Sequence, residues 1–182
     1  MPLGANFDRA LTAAKRGAEW AWGALFDDLA GALYGYLRLR GAAEPDDVVG
    51  EVFLDLARNI ESFSGDEAAF RSWVFLIAHH RLQDERRARA RRPAEPLDMV
   101  DLTAEEDVER IALGQVSSDR VRELLFELTP DQREVVMLRV VAELSIEQTA
   151  RILGKRPNAV KALQHRAVAR LRRRIEAEGV TK

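Results

Sequence analysis

At 182 residues, with 47% hydrophobic and 32% charged residues, the chain is sized for one medium or two small domains of ordinary globular composition. The absence of cysteine excludes disulfides, thiol switches and cysteine zinc sites within this chain, and leaves three histidines as its imidazoles. Its net charge of −2 conceals a segregation: 13 basic against 14 acidic groups in residues 1–93, 1 against 8 in 94–119, and 14 against 8 in 120–182.

This pattern predicts a basic C-terminal module, an acidic connector and an N-terminal module whose basic charge is locally concentrated. Arginine outnumbers lysine 24 to 4, and a planar guanidinium fork suits phosphates and base edges, although a GC-rich genome gives the same bias. The opening stretch "MPLGANFDRALTAAKRGAEWAW" lacks a basic start followed by a clean apolar run, and other apolar runs are short and broken by charge. Neither a membrane span nor a secretory signal is expected, which places the chain in the cytoplasm.

Apolar residues recur at spacings of three and four, so nearly every segment reads as helix and the expected fold class is all-α. In "EWAWGALFDDLAGALYGYLRLRG" one stripe runs through Trp22, Leu25, Phe26, Leu29, Leu33, Tyr36 and Leu37 and stops near Gly41. The next helix opens at "EPDDVVGEVFLDLARNI", where Pro45 suits a first helical position and Asp46 and Asp47 complement the positive end of the helix dipole. Its buried face is Val48, Val52, Phe53, Leu56 and Ile60. A third helix follows, with Ser64 and Glu67 spaced as a capping box, with Phe70, Trp73, Val74 and Ile77 inward, and with Pro93 at its end. Residues 94–118, with two early prolines and dense acid, read as a linker between domains at 1–93 and 119–182. Four compact helices are expected beyond it, two of them opening on capping boxes, Thr129 with Gln132 and Ser145 with Gln148.

The C-terminal end satisfies each requirement of a helix-turn-helix: two short helices, a tight glycine turn, and a second helix able to lie in the major groove. Ile146, Thr149, Ala150 and Leu153 pack inward from the first helix, Gly154 supplies the turn, and Val160, Leu163, Ala167 and Leu171 return the second helix to the core. Its outer face is then Arg156, Asn158, Lys161, Gln164, His165 and Arg166, donors and amides suited to phosphates and the edges of guanine or adenine. By itself "RLRRR" reads as a solvated helix end, because basic residues favour the dipole there. The capped helix and glycine turn ahead of it carry the DNA-binding reading.

The stretches "EPDDVVGEVFLDL", "FSGDEAAFRSWVFLIAHHRLQDERRARARR" and "LTPDQREVVMLRVVAELSIEQTARILGKRPNAVKALQHRAVARLRR" resemble, in order, region 2 and region 4 of RNA polymerase sigma-70 factors. The two-domain arrangement is that of the extracytoplasmic-function (ECF) subfamily, and the resemblance covers roughly residues 18–92 and 118–174. It implies a sigma factor that directs core RNA polymerase to promoter DNA, is not itself an enzyme, needs no cofactor, and is held in check by an anti-sigma factor. It also implies that Asp47, Glu51, Val52 and Asp55 meet the polymerase. Packing in the core is the competing reading for Val52, and a helix N-terminus for the acids.

The loop "NIESFSGDE" and the helix after it resemble the part that opens the minus-10 element and captures an unstacked base. That task needs a polar rim, planar groups for stacking and arginines for the backbone. By the resemblance, Ser62, Phe63, Ser64, Gly65 and Asp66 form the rim, His79, His80 and Gln83 face it, and Arg81, Arg86 and Arg87 hold phosphates. Phe70 and Trp73 read as core residues of an amphipathic stripe.

Three departures from the family pattern bear on promoter choice: His80 stands where asparagine is usual, Arg156 and Pro157 replace the usual Ser or Thr, and Leu163 replaces a common arginine. Adjacent histidines point about 100° apart on a helix and no carboxylates complete a ligand set, so no metal is expected. The acidic linker reads either as a flexible connector or, by resemblance, as a segment threaded near the RNA exit path in mimicry of nucleic acid. Competing functions are a stand-alone helix-turn-helix regulator of duplex operators, for which no effector pocket or dimer helix is evident, and a hydrolase, for which there is no nucleophile elbow, phosphate loop or ligand cluster.

Overall fold

A computed structural model describes residues 3–91 and 119–179. The chain divides into two compact units, within 1–115 and 116–182. The expected linker 94–118 lies outside the described residues, as does Pro93. Among the described residues all regular structure is helical, in agreement with the all-α reading, and no helix is long and apolar enough to cross a membrane.

Among the described residues the first unit has four α-helices: α1 (Phe7–Lys15), α2 (Glu19–Leu39), α3 (Pro45–Asn59) and α4 (Glu67–Arg91). Its core interleaves Leu25, Leu29, Leu33, Tyr36 and Leu37 of α2 with Val49, Val52 and Leu56 of α3 and Phe70, Val74, Phe75 and Leu82 of α4. Burial of these large side chains supplies the main favourable free energy, at roughly 1.5–3 kcal/mol for each fully buried one. The short helix α1 is the element sequence patterning passed over. It buries Phe7, Ala10, Leu11 and Ala14 against the bundle.

The start of α4 differs in detail from expectation. Asp66, rather than Ser64, caps the helix, its Oδ1 accepting from the Ala69 amide at 2.7 Å. Ser64 sits two residues too early, in the loop. Pro45 and the acids of the first turn of α3 stand where the sequence places them.

The second unit contains α5 (Asp119–Phe126), α6 (Pro130–Val136) continuing into a π-helical turn (Met137–Val141), α7 (Ile146–Leu153) and α8 (Pro157–Gly179). Thr129 and Ser145 both form complete capping boxes with Gln132 and Gln148. Gly154 ends α7 at φ 60°, the left-handed conformation that a residue without Cβ adopts freely. Val135, Ala150 and Val160 form the buried centre, with Ile146, Leu153 and Leu163 packed around it.

Candidate nucleic-acid interface

In the first unit the end of α3 passes through a 3-10 turn (Ile60–Ser62) into an exposed loop before α4. The turn is closed locally, because Ser62 Oγ donates to the Asn59 carbonyl at 2.8 Å and the Phe63 amide to the Ile60 carbonyl at 3.1 Å. The Phe63 ring then lies over Trp73 of α4, with centroids 5.1 Å apart and planes 11° from parallel, and meets Phe70 edge-on at 5.2 Å. Gly65 lets the loop close on this stack, since a Cβ there would stand 2.9 Å from Ala69 Cβ and 3.2 Å from Phe63 Cζ.

The result is an open cleft of about 560 Å³ lined by Asp55, Asn59, Ser62, Phe63, Ser64, Trp73 and Ile77. That size lies within the range of small-ligand clefts. Ser62, Ser64, Gly65 and Asp66 are exposed around it and Phe63 is half-buried. Trp73, expected in the core, is instead half-buried on the cleft wall, and Phe70 is buried as expected. An apolar stripe alone gives no sign of this, because a tryptophan at helical spacing has the same periodicity in a core as at its margin.

The paired histidines part company. His80 is exposed, whereas His79 is 5% exposed, with Nδ1 hydrogen-bonded to Tyr36 Oη at 2.9 Å and Nε2 to Gln83 Nε2 at 2.6 Å. The expectation that His79 faces a nucleic acid therefore does not fit the fold: it joins α4 to α2 inside the bundle and occupies one face of Gln83. Val52 is likewise fully buried, so the packing reading holds for it.

Asp47 and Glu51 are exposed on α3. Asp55 is half-buried and accepts from Arg81 Nε at 2.7 Å, with Glu51 3.4 Å from the same guanidinium, so Arg81 is engaged by acids of α3. Arg86 donates to the Arg40 carbonyl at the end of α2, and Arg87 lies 3.3 Å from Asp84 on its own helix. Both arginines remain exposed, and an exposed i, i+3 pair is worth only a few tenths of a kcal/mol, about 0.2–0.5. Such a pair yields readily to a phosphate. Among the described residues no group of three or more His, Asp or Glu is placed to hold a metal ion.

In the second unit, Val160 and Ala167 of α8 are buried while Arg156, Asn158, Lys161, His165 and Arg166 are exposed. Gln164 is half-buried at the margin, its Oε1 accepting from Arg139 Nε at 3.2 Å, and Arg139 also donates to the Leu144 carbonyl ahead of α7. Arg139 thus links the π-helical turn, the entry to α7 and one amide of the outer face, a tie between distant segments that no local signal marks. Glu147 stands on the same side, its carboxyl lowered by its own backbone amide and the Ser145 hydroxyl, with smaller contributions from Lys161 and Arg139.

Both units are similar to known proteins. Residues 25–92 match sigma-70 region 2 and residues 118–171 match sigma-70 region 4. The ECF RNA polymerase sigma factor BldN of Streptomyces coelicolor is 33% identical over 164 residues, 88% of this chain and 62% of that protein. The ECF RNA polymerase sigma factor SigL of Mycobacterium tuberculosis is 31% identical over 87% of this chain and 91% of its own length. Among solved structures, CnrH in complex with the cytosolic domain of CnrY superposes with a TM-score of 0.58 at 26% identity, covering 92% of this chain and 96% of that one.

Proposed function

We propose, on the premise that this chain belongs to the extracytoplasmic-function (ECF) family of RNA polymerase sigma factors, that it brings core RNA polymerase to promoters and starts transcription there. The observation that carries the reading is the succession, on one chain and in order, of region 2 and region 4 similarity. The chain spans about 62% of the length of BldN, so the activity and partners of the whole protein are proposed from this pairing.

In this reading Arg156, just ahead of α8, and Asn158, Lys161, Gln164, His165 and Arg166 on its outer side read the duplex minus-35 element, with amides and guanidinium groups directed at base edges. The cleft of the first unit receives an unstacked minus-10 base. Ser62, Ser64, Gly65 and Asp66 form its rim and Phe63 and Trp73 its stacking wall. His80, Gln83, Arg86 and Arg87 lie along the strand, where stacking and backbone contact serve every base alike. The exposed acids Asp47 and Glu51, with Asp55 partly engaged by Arg81, meet a basic surface of the polymerase. Residues 94–118 form an acidic connector between domains at 1–93 and 119–182. Polymerisation belongs to the core enzyme, the chain supplying recognition without chemistry of its own in the cytoplasm. CnrH is held by a protein domain, and we extend to this chain a partner of the anti-sigma kind.

Run-off transcription with bacterial core polymerase on pooled promoter fragments tests the proposal, with new start sites mapped in the presence and absence of the full chain. New starts sharing two spaced upstream elements are expected. Active core without new starts, combined with tight binding of the chain alone to duplex DNA, would replace this reading with a stand-alone regulator.

A further inference from the structure

The loop that rims the cleft is held from a direction that neither α3 nor α4 supplies. Lys15, the last residue of α1, donates from Nζ to the Phe63 carbonyl at 2.6 Å, across 48 positions of sequence. Phe7, at the other end of the helix, is 3% exposed and packs its ring on Phe70 at 5.5 Å, and Phe70 in turn meets Phe63 edge-on. Just ahead of α1, the Gly4 amide donates to Glu67 Oε2 at 3.0 Å, at the first turn of α4. Three contacts from residues 4–15 therefore converge on residues 63–70. One engages a loop carbonyl, one the aromatic stack behind the loop, and one the helix that follows.

We infer that α1 is a brace that holds the loop of residues 62–66 open to a base, and that Lys15 is its positioning residue. The region 2 similarity begins at residue 25, so the brace lies outside the matched segment. A lysine at the C-terminal end of a helix already interacts favourably with the dipole, and here it is half-buried with its charge directed at a single backbone oxygen. The bond fixes the Phe63 carbonyl on the α1 side. The ring on the same residue stays flat against Trp73, and the neighbouring Ser62 and Ser64 stay turned outward. Without it, Phe63 keeps its aromatic contacts but the peptide that follows is free to rotate, and the rim loses its shape before any base arrives. Holding a site in its receptive form lowers the ordering cost of binding, an effect confined to the step that fills the cleft.

The inference rests on the minus-10 reading of the cleft, and its test separates the two. In the full chain, Lys15→Met removes the donor and keeps most of the apolar stem, and Lys15→Arg retains a charged donor. Amide hydrogen exchange of residues 62–66 in the free protein reads the brace without DNA: faster exchange is expected in Lys15→Met and near wild-type exchange in Lys15→Arg. Promoter opening with core polymerase, read by permanganate reactivity of unpaired thymines, is expected to fall about tenfold in Lys15→Met, a factor one charge-assisted hydrogen bond accounts for. Lys15→Arg should restore it, while core affinity stays at the wild-type level. Unchanged exchange, or faster exchange with undiminished opening, overturns the brace. A parallel loss of core affinity that arginine does not rescue overturns it too, as the mark of a merely structural lysine. Failure of the wild-type chain to open any promoter removes the minus-10 reading, and exchange then still decides whether Lys15 holds the loop.

Discussion

Asp28 and Arg71 face each other at 2.8 Å with side chains 5% and 8% exposed, so α2 and α4 share a charge pair withdrawn from water. Burial raises the Asp28 carboxyl above its ordinary value even though Arg71 pulls it down. A raised carboxyl means that the folded chain holds this proton more tightly than the unfolded one. The contribution of Asp28 to stability is therefore largest at acid pH and declines as pH rises through the raised value. Arg71→Met removes the opposing charge, and a cost of about 3 kcal/mol at neutral pH is expected in urea titration of the first unit. The cost should shrink as pH falls and Asp28 takes up a proton. Thr149 presents the opposite case: it is 0% exposed in α7 and its Oγ1 has no hydrogen-bond partner. Thr149→Val keeps the shape and removes the unsatisfied hydroxyl, so a gain of about 1 kcal/mol is expected in the unfolding transition of the second unit. Inward placement of Thr149 was legible from helical spacing. Its lack of a partner was not, because satisfaction depends on which neighbours arrive.

At the scale of elements, two left-handed positions flank α7. Gly154 at φ 60° closes the helix, and Glu143 at φ 56° turns the chain out of the π-helical segment with a side chain attached. The same backbone conformation predicts opposite signs: Gly154→Ala should cost about 1 kcal/mol, and Glu143→Gly should gain up to about 1 kcal/mol, both read in equilibrium denaturation. Local chemistry made much of this region legible, since capping boxes and a glycine stop act within a few residues. Thr129, Ser145 and Gly154 all stand in the roles their spacing gave them. The same reasoning placed Ser64 at the cap of α4 because it weighed spacing alone, whereas the loop closes on Phe63 and delivers Asp66 to that position. Helix α1 was passed over although Phe7, Ala10, Leu11 and Ala14 repeat at helical spacing, because nine residues are too few to hold a helix alone and its stability comes from the bundle it packs on.

At the scale of the whole molecule, the proposed function puts two DNA-reading units on one chain and so makes promoter spacing a physical variable. Inserting about five base pairs between the two upstream elements turns one by half a helical turn relative to the other. In the presence of core polymerase, initiation at a mapped start site is expected to fall at least about tenfold, and a compensating deletion should restore it. Undiminished initiation would detach the two units from a shared promoter. Charge segregation suggests two modules joined by an acidic segment, and the order of their motifs announced the family. By itself the sequence determined the all-α class, the helices longer than about ten residues, the capped helix-turn-helix and its basic outer face, because periodicity, caps and charge act over one or two turns. Tertiary structure alone decided that His79 turns inward to Tyr36, that Trp73 walls a cleft, that Arg81 is engaged by Asp55, and that Lys15 reaches the Phe63 carbonyl. Each of these joins residues 10 to 48 positions apart, or sets a side chain at the margin of a core, and such contacts exist only once the helices have packed.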